Sequence, residues 1–118
     1  MNKSNIKKII CDYISKNDVT SFVEIERIFE ENNFKYKGEL SQTGSKTPHV
    51  VFWIGWNMTA IEIIQELMAE ERIFMEACEP IIYVIDGVTI DLPIPKKANF
   101  TKPHWIPVAF SSKNPKFA

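Results

Sequence analysis

At 118 residues, 45% apolar and 25% charged, the chain is long enough to bury a modest core and too apolar to stay disordered. Its longest apolar run, Val50 to Trp56, is about seven residues against the roughly 20 a membrane helix needs, so no membrane span is expected. The net charge of −1 is unevenly spread: residues 1–34 carry −1, 35–56 carry +2, 57–91 carry −7 and 92–118 carry +5.

The first seventeen residues carry lysines but no long apolar core and no small-residue cleavage site, so a signal peptide is not expected and the cytoplasm is the default location. Ile6, Ile9, Ile10, Tyr13 and Ile14 recur at i, i+3, i+4, i+7 and i+8, one face of a helix over Ile6–Ser15. Val19-Thr20 has room for a very short strand. Ser21 with Glu24 three residues on has the form of a capping box. It opens a second helix, Ser21–Glu31, whose inward stripe is Phe22, Ile25, Ile28 and Phe29.

The segment 34–40 alternates as an amphipathic strand, 41–48 reads as loop by composition, and 49–56 is β-branched and aromatic enough for a buried strand. Together they make a long hairpin. Asn57 or Thr59 caps a third helix, Thr59–Arg72, with Ala60, Ile61, Ile64, Leu67 and Met68 inward. Asp86-Gly87 then sits between two apolar runs. That dipeptide suits a type I′ turn and predicts a hairpin over Ile81–Leu92, with Ile85 facing Val88, Tyr83 facing Ile90 and Ile81 facing Leu92. Five of the seven prolines fall from Pro93 onward, which predicts an extended tail whose residues 100–110 dock on the domain or serve as a partner-binding arm.

Helix, short strand, helix, helix, then a strand pair around an Asp-Gly turn resembles the winged helix-turn-helix superfamily, over Ile6–Ser15, Val19–Thr20, Ser21–Glu31, Thr59–Arg72 and Ile81–Leu92. The resemblance implies an α+β fold: three helices, a small antiparallel sheet with a C-terminal hairpin, and an extended Pro-rich tail. Residues 1–95 would be the domain, 34–56 a strand-rich insertion and 96–118 a basic, aromatic-containing tail packed on it. The chain also resembles, in general character, small proteins of Gram-positive phages and genomic islands.

In that fold the third helix would read DNA. Its outward face carries Glu62, Glu66 and Glu70, which would repel phosphates, so the stripe is either a solvated face or a surface for a basic protein. Phe110 and Trp105 are the apolar residues of the tail best suited to a partner. Lys96, Lys97 and Lys102, together with Lys7 and Lys8 of the first helix, are the candidate nucleic-acid contacts.

The glycine-containing stretch Gly38 to Lys46 has the wrong spacing for a phosphate-binding loop. Cys11 and Cys78 lack CxxC spacing and read as reduced structural thiols, and no nucleophile-loop context joins them to His49 or His104. Trp53 and Trp56 read as core anchors before a stacking platform. No cofactor, metal or catalytic residue is expected. The expectation is therefore a small non-enzymatic protein-interaction module, possible homodimerisation included, with a DNA-binding regulator using wing, first helix and tail as the alternative.

Overall fold

A computed structural model describes residues 2–44, 46–95 and 102–114. The fold is α+β: four helices and two three-stranded sheets among those residues.

Helix α1 (Lys3–Lys16) starts where Asn2 accepts the Asn5 amide at 2.8 Å, and it buries Ile6, Ile10 and Ile14 completely. Strand β1 (Thr20–Ser21) leads directly into α2 (Phe22–Glu31). The Glu24 amide donates to Ser21 Oγ at 3.2 Å and the Ser21 amide to Glu24 Oε2 at 2.8 Å. The expected capping box is thus formed and satisfies two otherwise orphaned donors.

Strands β2 (Lys37–Gly44) and β3 (Thr47–Trp56) form the expected antiparallel hairpin, although the strands reach further into 41–48 than a composition-based loop allows. Its register slips between Lys37 and Leu40. There Gly38 lies so close to the start of the next helix that a Cβ would stand 2.7 Å from Asn57 backbone atoms. Helix α3 (Met58–Ala69) is capped by Asn57, which accepts the Ala60 amide at 2.8 Å. Its inward face includes the four residues Ala60, Ile61, Ile64 and Leu67, and also Ile63, which is fully buried.

After β4 (Phe74–Ala77) the chain departs from expectation. Residues Ile81–Asp86 form a helix, α4, and no hairpin spans 81–92. Gly87 has φ 86° at the C-terminal end of α4, and its amide reaches the carbonyls of Tyr83 and Val84. A left-handed glycine serves a helix C-terminus as well as it serves a type I′ turn, so the dipeptide alone does not choose between them. Packing makes the choice. Tyr83 is fully buried, and its hydroxyl donates to the Val108 carbonyl at 2.5 Å and accepts the Phe22 amide at 3.2 Å. A strand would place Ile81, Tyr83 and Ile85 on one face; the helix sends Tyr83 inward without them.

The described part of the tail is structural. Strand β5 (His104–Trp105) pairs parallel to β3, and β6 (Val108–Ser111) lies between β1 and β4, antiparallel to both. Phe22 is the hinge of the core: its ring centroid lies 5.8 Å from Trp53, 5.5 Å from Trp56 and 5.1 Å from Phe110. Rings at such separations add roughly 0.5–1.5 kcal/mol per pair beyond their burial.

Candidate interaction surface

The acidic stripe of α3 is exposed but not unpaired. Lys3 and Lys7 of α1 cross onto it: Lys3 Nζ lies 2.5 Å from Glu66 and 3.5 Å from Glu62, and Lys7 Nζ 2.8 Å from Glu70 and 3.3 Å from Glu66. Arg72 adds a contact to Glu70 at 3.3 Å. Hydrogen bonds from these lysines, ahead of any other cause, hold the Glu66 and Glu70 carboxyls below their ordinary range, and the two ammonium groups are raised in return. Glu62, Glu66 and Glu70 therefore form an ion-pair ladder that joins α1 to α3. Lys7 is largely covered, with its charge directed to protein carboxylates and not to a phosphate.

Trp105 and Phe110 are 3% and 0% exposed. They complete the core, so neither offers surface to a partner. Trp105 packs between Trp53 and Tyr83, and its indole Nε1 is buried without an acceptor. Lys8 and Lys102 are exposed, while Lys96 and Lys97 lie outside the described residues.

Two features appear that the sequence reading missed. The first is Glu26, on the half-buried side of α2. Its Oε2 accepts both tryptophan indoles of β3, Trp53 Nε1 at 2.9 Å and Trp56 Nε1 at 2.8 Å. One carboxylate oxygen thereby satisfies two buried donors, which supports the core-anchor reading of both tryptophans. Glu26 also lines a cleft of about 360 Å³ bounded by Tyr36, Trp53, Ile54 and Val88, with Lys37 in its wall.

The second is the outer face of α4 and its exit. Ile81, Val84, Ile85 and Val88 follow one another at i, i+3, i+4 and i+7, and are 55%, 57%, 77% and 44% exposed. The spacing that normally buries a helix face here carries it to solvent. The short helix is held firmly beneath. Ser21 Oγ donates to Asp86 Oδ2 at 2.6 Å, Arg27 reaches the Asp86 carbonyl at 3.4 Å, and Tyr83 is anchored as described. Val88 belongs both to this stripe and to the cleft wall, where Ile54 is 42% exposed, so the apolar surface runs from one into the other.

The titratable groups near the core carry structural duties. Burial first, and a hydrogen bond to Glu24 at 2.8 Å second, push Tyr13 up to about 12. Tyr36, bonded to Glu30 at 2.6 Å, and Tyr83 are raised, again chiefly by burial. Burial also raises both cysteine thiols, the opposite of what a thiolate nucleophile needs. Among the described residues no three His, Cys, Asp or Glu side chains converge as a metal site, and no helix is long and apolar enough to cross a membrane. No protein-family model, curated protein or solved structure matches the chain.

Proposed function

We propose that this chain is a non-enzymatic protein-interaction module and that its partner docks on the outward face of α4. The observation carrying this reading is the exposed stripe Ile81, Val84 and Ile85 on a helix tethered from below by Tyr83 and Asp86, with exposed Val88 just past its end. Contiguous exposed aliphatics are costly to leave in water and mark association surfaces when the element bearing them is held in place.

Charge narrows the partner's chemistry. From Glu76 to Asp91 the chain carries Glu76, Glu79, Asp86 and Asp91 and no basic residue. An apolar stripe in an acidic stretch, with Arg27 reaching the Asp86 carbonyl and Lys37 in the adjoining cleft wall, suits an apolar surface flanked by lysine or arginine better than nucleic acid or anionic lipid. This keeps the basic protein partner expected from the acidic stripe of α3 but moves the docking surface to α4. The DNA-binding alternative loses Lys7 to the ion-pair ladder and lacks a wing at 81–92, so no observation favours it.

The test is affinity capture in parallel with wild type and Ile85→Asp, at low and physiological salt, together with sedimentation of each protein alone. Ile85 is 77% exposed, so the substitution should leave folding intact. Capture that is lost in the variant and weakens with salt is the expected result. Capture indifferent to Ile85→Asp would overturn the assignment to α4, and self-association removed by the variant would make the partner a second copy.

A further inference from the structure

A groove separate from the α4 surface lies between the β2–β3 hairpin and α3, with a volume of about 570 Å³. It shares no residue with the Glu26 cleft. Its walls include Leu40, Phe52, Met58, Met68 and Met75, and no charged side chain is among its lining residues. Its polar side chains are Ser41, Thr43, Gln65 and Gln42. Gln42 is only 8% exposed, and its Nε2 is buried without a hydrogen-bond partner.

Burial of an amide donor without an acceptor is unfavourable, and such groups are few in folded proteins. Mostly apolar clefts of about 300–1,000 Å³ with one or two placed polar groups are the usual form of small-molecule sites. Methionine, flexible and polarisable, suits a wall that adjusts to its occupant. We propose that this groove binds a small, uncharged apolar molecule carrying one carbonyl acceptor, toward which the Gln42 carboxamide turns to donate from Nε2. A carboxylate would enter without a cation to meet it, so the acceptor is a neutral amide, ester or ketone oxygen. The aliphatic part lies against the methionines, and Met58, 53% exposed, stands at the open rim.

Octanamide and octanoate, matched in chain length, are the probes, titrated against the full chain with methionine methyl and glutamine side-chain amide resonances recorded. Octanamide should move the methyl signals of Met58, Met68 and Met75 and the side-chain amide of Gln42, and octanoate should bind about tenfold more weakly or worse. In Gln42→Leu the affinity for octanamide should fall about tenfold while the methyl shifts persist at higher concentration. The same variant should melt no lower than wild type, because it removes an unpaired donor and keeps the volume. Met58→Lys at the rim should weaken octanamide and, by supplying a cation, narrow or reverse its advantage over octanoate. Absence of methyl shifts at millimolar octanamide would overturn the site. Equal binding of octanamide by Gln42→Leu would overturn the role of its amide. A lower melting temperature for that variant would mean that Nε2 is already paired in the free protein, and would overturn the argument at its start.

Discussion

Val19 has φ 65° and is 51% exposed, a left-handed backbone under a β-branched side chain. That conformation costs roughly 1–2 kcal/mol for a residue with a Cβ branch, and Val19 recovers little through burial. Val19→Asn should raise stability by about 0.5–1 kcal/mol, read as a higher denaturant midpoint at unchanged slope. Gly87, at φ 86°, makes the opposite case: Gly87→Ala should cost about 1 kcal/mol and loosen α4 first. The tyrosines give a pH signature. A phenol raised from 10 to about 12, as Tyr13 is, favours folding fully below pH 10 and loses that contribution as pH rises through 12. Tyr36 and Tyr83 are raised in the same direction, so the folded protein should show almost no tyrosinate absorbance at pH 10, where an ordinary phenol is half ionised. Early, partial ionisation of one tyrosine would contradict the hydrogen bonds assigned to it.

At the scale of elements, the α1–α3 ladder has the sign of depressed carboxylates. Its contribution is present above the ordinary glutamate value of 4.5 and is lost as pH falls through the lower folded values; the raised lysines keep their side of it to beyond 10.5. Lys7→Met keeps the apolar stem and removes the charge. Its melting temperature should lie below that of wild type at neutral pH, with the gap closing as pH falls below 4.5 and the carboxylates protonate. A constant gap would assign the effect of Lys7 to packing alone.

Element by element, what was legible in the sequence was local. Ser21 caps the second helix as expected, Asn57 of the two candidates Asn57 and Thr59 caps the third, and the apolar periods of α1, α2 and α3 placed the right faces inward. Alternation and β-rich composition found the hairpin, but placed its first strand at 34–40 where β2 runs Lys37–Gly44. What failed depended on distant partners. Val108–Ser111 becomes a central strand only because β1 and β4 arrive on either side of it, and flanking prolines hide that from any local pattern. Ile81–Asp86 is helical because Tyr83 finds Phe22 and Val108, residues 61 and 25 positions away. Glu26 carried the signature of any solvated helix glutamate. The available hint was that two nearby buried tryptophans each require an acceptor.

For the whole molecule, the two chemical readings of the charge distribution separate. The acidic stripe of α3 is balanced internally by α1, while the acidic stretch around α4 keeps its apolar residues outward and without a basic neighbour in sequence. The tail closes the core through Trp105, Val108 and Phe110, which moves the proposed association surface from the tail to α4. The most direct measurement is a methyl-resolved NMR titration with a synthetic amphipathic helix of lysine and leucine, using its glutamate–leucine counterpart as the control. The account predicts that the basic peptide shifts the methyls of Ile81, Val84, Ile85 and Val88, that the acidic peptide does not, and that Ile85→Asp removes the response. Shifts centred elsewhere, or equal shifts with both peptides, would contradict it.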